Sequence, residues 1–268
     1  MKDRETKFLQ IEGWKRNGKI AHGFGMRIQD GEKPIRKDWL GKAVQQEEES
    51  FPLVSLRQVH GDRVVIFDGN IQKVEEVWRE EGDSLITRSP GFALGVFTAD
   101  CLPIFLYDPQ KQAIGIVHAG WRGTAKGITE KAVERMKATF LCRSADIRAA
   151  MGPCIGLCCY EVDRPVQKTF VEAGLPWDSI SNPRGEGKWS LDLHLANSLL
   201  LKAAGVREEN IEILKLCTSC QGEIFYSYRK GDKTQGRQLN FMGLRKGVEK
   251  GGCRPGDNKV KYQSSPSR

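Results

Sequence analysis

Apolar residues in this chain gather in short unbroken runs, most densely between residues 63 and 156. RVVIFDG (63–69), FALGVFTAD (92–100), LPIFLYDP (102–109) and AIGIVHAG (113–120) read as strands covered on both faces, because apolar positions follow one another without polar alternation. YDPQKQA joins the last two and has the Pro and polar residues of a hairpin turn, so these strands are expected to be antiparallel neighbours. IRAAMGPCIG (147–156) and NIEILKLCT (210–218) read as further strands.

Helical spacing appears in GTAKGITEKAVERMKATF (123–140), where Ile128, Ala132, Val133 and Met136 share a face and Thr124 is the candidate cap. DRPVQKTFVEAG (163–174) has Pro165 in its first turn and Gly174 after its end. SLDLHLANSLLLKAAGV (190–206) reads as a helix capped by Ser190, with Leu191, Leu195, Leu199 and Ala203 along one face. Uneven alternation of strands and helices predicts an α/β chain with mixed sheets. No internal repeat or Pro/Gly/Ser linker divides it, so residues 1–250 are expected to form one domain. The remaining segment, 251–268, is expected to be a disordered basic tail.

Composition adjusts this picture in three ways. No apolar stretch approaches the roughly 20 residues of a membrane helix, and the first residues lack the apolar core of a signal peptide. The reading is therefore a cytoplasmic protein without a membrane partner. The net charge of +8 favours anionic partners. Much of the excess sits in the tail, which reads as a solvated end rather than a nucleic-acid grip, and phosphate on a small substrate suits the charge equally well. Eight cysteines with no secretion signal point to metal binding, catalysis or plain burial rather than disulfides.

Three candidate ligands stand at the ends of apolar runs: His60 in RQVHG, Cys101 in FTADC and His118 in IVHAG. Two imidazoles and a thiolate suit zinc, and three protein ligands leave a fourth position open, as in catalytic sites. Their spacing follows no local template, so separate buried side chains stay open beside a shared metal. Gly120 and Gly123 flank a turn in which backbone can approach a substrate, and Arg122 lies between them as a candidate phosphate ligand. Arg27, after the glycine-rich turn HGFGM, is a second candidate. His194, inside the Leu-rich helix, reads as structural, whereas His22 in AHGFG is open between structure and site.

Other chemistries fit less well. Cys154, Cys158 and Cys159 form one group, and Cys217 and Cys220 form a C-x-x-C unit. A second C-x-x-C unit, as in a zinc ribbon, is absent, so the simplest reading is buried thiols. The zinc deaminases of nucleobases carry H-x-E and P-C-x-x-C, and neither occurs here. A multicopper oxidase needs far more than the four histidines present, although a single His₂Cys copper centre is within reach.

HGFGMR, RQVHG, GDSLIT, FTADCLPIFLYDP, GIVHAGWRGTAKGI, MGPCIGLCCYEV, KWSLDL, LKLCTSC and FYSYR follow one another in an order that resembles the laccase-domain family. That family is labelled polyphenol oxidase, peptidoglycan editing factor and purine nucleoside phosphorylase. The resemblance spans about residues 20 to 245, and its TADC-P and HAGWRG blocks are its most specific parts. It departs from the family pattern at Met26 and in the extra thiols Cys158 and Cys220.

The resemblance implies a layered α/β/β/α fold like the catalytic domain of cytotoxic necrotizing toxins, and a zinc site at His60, Cys101 and His118, with copper as the alternative metal. It implies purine nucleosides and phosphate as small-molecule partners: phosphorolysis of adenosine, inosine, guanosine and methylthioadenosine, and deamination of adenosine. Deamination needs a proton donor for the leaving amine, and Asp83 and Cys154 are the candidates. For phosphorolysis, Arg122 and Arg27 are the candidate phosphate ligands. Three alternatives stand beside this: a cysteine hydrolase with Cys101 as nucleophile and His118 as base, a peptidoglycan-editing factor, and a single-copper polyphenol oxidase.

Overall fold

The structure is a computed structural model, and it describes residues 8–16, 18–28, 36–231 and 236–246. The expected basic tail, 251–268, lies outside the described residues. In chain order the first strands are β1 (Phe8–Leu9), β2 (Ile20–Gly25), β3 (Ala43–Gln46), β4 (Glu49–Ser55) and β5 (Val64–Ile66). They are followed by β6 (Ser84–Thr87), β7 (Ala93–Thr98), β8 (Leu102–Asp108), β9 (Ala113–Ala119) and β10 (Arg148–Met151). The last are β11 (Glu161–Asp163), β12 (Ser181–Gly185), β13 (Lys188–Leu191), β14 (Ile211–Ile213) and β15 (Gln238–Leu244). The helices are α1 (Glu12–Lys15), α2 (Val74–Arg79), α3 (Trp121–Ala125), α4 (Ile128–Phe140), α5 (Arg164–Glu172), α6 (Trp177–Ile180) and α7 (Leu193–Ala203).

Two six-stranded sheets run β1-β2-β15-β7-β4-β3 and β14-β10-β8-β9-β6-β5, with a three-stranded sheet β11-β13-β12 beside them. Both large sheets are mixed: β4 pairs with β7 in parallel, as do β5 with β6 and β10 with β14, and the remaining pairs are antiparallel. The mixed α/β architecture expected from the sequence is present.

The two sheets face each other. Phe24 of β2 stacks on Phe105 of β8 with ring centroids 4.0 Å apart, within a core that also holds Leu53, Val96, Tyr107, Ile116 and Phe241. The opposite face of the second sheet is covered by helices. There Ile104, Leu106 and Val117 pack with Ile128, Val133 and Met136 of α4 and with Leu201 of α7. This explains the unbroken apolar runs: β8 and β9 are buried at every residue, since successive side chains enter different cores. The helices outside that layer, among the described residues, are α1 and α2. They send Trp14, Val74, Val77 and Trp78 into the inter-sheet core. No helix among the described residues is long and apolar enough to cross a membrane.

The β8–β9 hairpin forms as expected, pairing Leu102 with Ala119 through Asp108 with Ala113. The Asp108 carboxylate closes its turn by accepting from the Gln110 and Lys111 N–H groups at 2.8 and 3.0 Å. Four helix expectations need correction. The segment 123–140 is two helices, because Gly127 takes φ +74° and breaks the chain between α3 and α4. Thr124 lies inside α3, where its hydroxyl accepts from Asn197 Nδ2 at 3.0 Å. The cap of α7 is Asp192, which accepts from the Leu195 N–H at 2.9 Å, whereas Ser190 is still in β13. The buried face of α7 carries Leu193, Ala196, Asn197 and Leu201, and Leu195 is exposed.

Candidate metal centre and cleft

Strand register sets the site. Pro103 lies opposite His118, so Cys101, just before β8, comes beside Gly120, just after β9. The two-residue alternation of β9 puts His118 on the face of Ile114 and Ile116, at the end of the strand. The loop carrying His60 arrives from β4. Its Gln58 amide clamps β7, accepting from the Phe97 N–H at 2.8 Å and donating to the Phe97 carbonyl at 2.9 Å.

The nitrogen and sulfur ligand atoms of His60, Cys101 and His118 lie within 4.8 Å of one another. The three expected ligands therefore converge, and the cluster can hold a metal ion. The two imidazole rings meet edge to face, with centroids 4.8 Å apart. Two backbone strains hold this arrangement. His60 has φ +57° and Asp100, directly before Cys101, has φ +87°, both in the left-handed region that non-glycine residues rarely occupy. Gly120 is required by proximity: a Cβ there would stand 3.0 Å from Cys101 Sγ and 3.1 Å from His60 Cδ2. A Cβ on Gly123 would stand 2.9 Å from the Gly61 carbonyl oxygen. Both glycines thus allow close packing of the ligand loops.

Asp83 organises the cluster from behind. Its buried carboxylate meets His118 Nδ1 at 2.7 Å and accepts from the backbone N–H groups of Val59, His60 and Gly61 at 3.2, 3.0 and 2.7 Å. Burial alone would raise its pKa, but the bonds from His118, that residue's charge and the backbone donors together hold it below the usual carboxylate range. These contacts give Asp83 a positioning role toward the His118 ring and the His60 loop. With Nδ1 directed to Asp83, His118 presents Nε2 to the cluster, the tautomer that metal-binding histidines take from a carboxylate partner. Without a metal, burial opposes charge on both Cys101 and His118. Their mutual attraction overrides this, lowering the thiol pKa and raising the imidazole pKa.

The cluster opens onto a cleft of about 890 Å³. Its cationic lining comprises Arg36, Lys37, Arg57, Arg122, Arg229 and Arg237, and its aromatic lining Phe97, Trp121, Tyr160 and Tyr228. Arg122 stacks over Trp121 at 4.4 Å and, among the described residues, has no ion-pair partner. Asn197 fixes α3, which carries both: it donates to Thr124 Oγ1 and to the Leu193 carbonyl, and accepts from the Thr129 hydroxyl at 2.6 Å. Asp100 ties the Cys101 turn to the opposite wall, accepting from the Thr218 hydroxyl at 2.6 Å and the Arg229 N–H at 2.7 Å.

Arg27 and Cys154 are not brought into this cleft. Arg27 donates to the Phe225 carbonyl at 3.3 Å and lies over the Tyr226 ring at 4.6 Å, outside the cleft lining. Cys154 is fully buried, 3.6 Å from His194 Nδ1, and burial holds its thiol pKa well above the ordinary value. His194 donates from Nε2 to the Gly152 carbonyl at 2.9 Å, as expected of a structural histidine. His22 is likewise structural, its Nε2 accepting from the Ile11 N–H at 2.9 Å.

Sequence reading missed Gln58, Asp100, Tyr160 and Arg237 as parts of the site. Of these, only Asp100 stands beside a candidate ligand in the chain, and no spacing rule marks the other three.

Comparison with known proteins identifies relatives of this chain. The family model described as multi-copper polyphenol oxidoreductase laccase matches residues 22–245. The chain is 38% identical over 215 residues to purine nucleoside phosphorylase YlmD of Geobacillus stearothermophilus, covering 73% of this chain and 74% of that one. It is also 38% identical over 202 residues to adenosine deaminase RL5 from an unknown prokaryotic organism, covering 72% and 74%. Among solved structures, the hypothetical protein YfiH of Bacillus licheniformis superposes with a TM-score of 0.78 at 30% identity, covering 91% of this chain and 98% of that one.

Proposed function

The chain belongs to the multi-copper polyphenol oxidoreductase laccase family, and on that premise we propose that it is a zinc-dependent purine nucleoside enzyme. Its reactions are phosphorolysis of adenosine, inosine, guanosine and methylthioadenosine, and deamination of adenosine. The observation that carries this reading is the His₂Cys cluster, backed by Asp83 and opening onto a cationic, aromatic cleft. Relatives named as a purine nucleoside phosphorylase and an adenosine deaminase support nucleoside processing.

Three protein ligands with a carboxylate behind one imidazole fit zinc. Held there, zinc supplies a Lewis acid with an open position for water or a substrate oxygen. The chain's own residues do the rest. Asp83 fixes the His118 ring and the His60 loop, so the ligands need not reorganise during reaction. Trp121, Tyr160 and Tyr228 offer aromatic faces to a purine, and Arg122 offers a guanidinium to phosphate at the same rim. His22 and His194 are engaged elsewhere, so His60 and His118 are the imidazoles left for a metal.

Incubation with adenosine and phosphate should yield adenine with ribose 1-phosphate, and inosine with ammonia. Absence of both base and ammonia from the zinc-loaded protein overturns the reading.

The line Cys101–His118–Asp83 favours one second reading, a cysteine hydrolase with Cys101 as nucleophile, His118 as base and Asp83 as orienter. Under it, alkylation of Cys101 abolishes activity that persists in metal-free protein. Under the zinc reading, metal-free protein has no activity to lose.

A further inference from the structure

Four cysteines converge at a place the cleft chemistry does not use. Cys158 and Cys159 lie on the turn before β11, and Cys217 and Cys220 on the segment after β14. Backbone bonds join the two segments: Thr218 N–H donates to the Cys154 carbonyl at 3.0 Å and Cys154 N–H to the Leu216 carbonyl at 3.3 Å. The four sulfurs all lie within 4.8 Å of one another, with Cys220 Sγ 3.4 Å from Cys158 Sγ and 3.3 Å from Cys159 Sγ. These are not the buried thiols read from the sequence: Cys158 and Cys220 are exposed, and Cys159 and Cys217 are half-buried.

The surroundings suit thiolates. Cys217 Sγ accepts two backbone N–H bonds, from Gly156 at 3.2 Å and from Cys220 at 3.4 Å. The second of these wraps the C-x-x-C unit around its first sulfur. Gly156 leaves room for this, since a Cβ there would stand 3.3 Å from Cys158 Sγ and 3.2 Å from Cys217 Cβ. Four sulfurs with no nitrogen or carboxylate among them form a soft donor set. In a tetrahedral zinc site with bonds of about 2.3 Å, sulfurs stand about 3.8 Å apart, a spacing reached here by small side-chain rotations.

We propose that Cys158, Cys159, Cys217 and Cys220 bind a second zinc ion as a closed tetrathiolate site. Binding releases the thiol protons to solvent and involves no change of oxidation state. With four protein ligands no position is open, so this ion is structural. It fastens the two segments that form one wall of the cleft. Tyr160 follows Cys159 directly, Arg229 lies over the Tyr160 ring at 5.4 Å, and Thr218, next to Cys217, bonds Asp100.

Zinc content of the full chain, purified under reducing conditions, tests this. Wild type should hold about two zinc ions, Cys101→Ser/His118→Ala about one, and that variant with Cys158→Ser/Cys220→Ser added about none. Cobalt substituted into Cys101→Ser/His118→Ala should show the intense sulfur-to-metal absorption of a tetrathiolate. This arm needs no change in the cluster, so it decides the matter even if the four-residue variant does not fold. A Cys101→Ser/His118→Ala protein that binds neither zinc nor cobalt, or that carries disulfides among the four cysteines, overturns the proposal.

Discussion

Asp83 Oδ1 lies 2.7 Å from His118 Nδ1, and both side chains are buried. The same carboxylate holds the backbone of Val59, His60 and Gly61, so one residue positions two of the three ligands. Asp83→Asn keeps the shape but loses the charge that fixes the His118 tautomer and one acceptor site for the loop. Zinc affinity of the cleft site, measured by chelator competition, should fall about 10–100-fold. An unchanged affinity in a folded variant would remove Asp83 from the account.

A methyl group at Gly120 would press on Cys101 Sγ at 3.0 Å and His60 Cδ2 at 3.1 Å. Gly120→Ala should displace the ligands and empty the cleft site. Gly13→Ala, where a Cβ meets nothing within 4 Å, should leave metal content unchanged. Metal analysis of both proteins separates a local effect from a general one. Equal metal content in the two would show that the ligands do not need this close approach.

Arg122 and Arg27 are separated by their surroundings. Arg122→Ala should raise KM for phosphate about 10-fold or more, the weight of one charge-assisted contact. Arg27→Ala should leave that KM alone and lower stability by about 1–2 kcal/mol, through loss of its bonds to Phe225 and its stacking on Tyr226. Steady-state kinetics in phosphate and denaturant melts check the two halves. The opposite pattern would return Arg27 to the site.

His22 links stability to pH. Burial pushes its pKa down to about 4, with a smaller contribution from the Arg245 charge. The unfolded chain binds a proton near pH 6.5 that the folded chain refuses until about pH 4, so this contribution is complete above pH 6.5 and is lost as pH falls. By pH 5 the loss is about 2 kcal/mol. Urea melts at pH 7.5 and 5 should show wild type losing about that much more than His22→Gln. Parallel losses would mean that His22 is protonated as readily folded as unfolded.

How much of this was legible follows from what each residue displays locally. β8 and β9 were readable because burial on both faces demands continuous apolar sequence, and their pairing followed from the Asp108–Gln112 turn. Most of the first sheet was not read. β2 is IAHGFG and β15 is QLNFMGL, where the buried polar residues His22, Gln238 and Asn240 each bond to a partner elsewhere in the chain. The buried face of α7 could not be picked from LHLANSLLLKA, whose leucines point to more than one side. His60, Cys101 and His118 each announced themselves at the end of an apolar run. Asp83 was named only as a proton donor, because its contact with His118 depends on β6 lying beside β9, where the His118 N–H donates to the Asp83 carbonyl at 2.7 Å. The four-cysteine cluster was hidden for a similar reason: its halves are about 60 residues apart and meet through the pairing of β10 with β14 and the bridge between Cys154 and Cys217.

The central claim is that the metal held by His60, Cys101 and His118 drives nucleoside chemistry. Its most direct test is product formation from adenosine and phosphate by protein stripped of metal and then titrated with zinc. The expected result is no product from the stripped protein. Adenine, ribose 1-phosphate and inosine should return together as zinc fills the cleft site, and should not return in His118→Ala. Full turnover by the stripped protein, or no product after zinc loading, would contradict it.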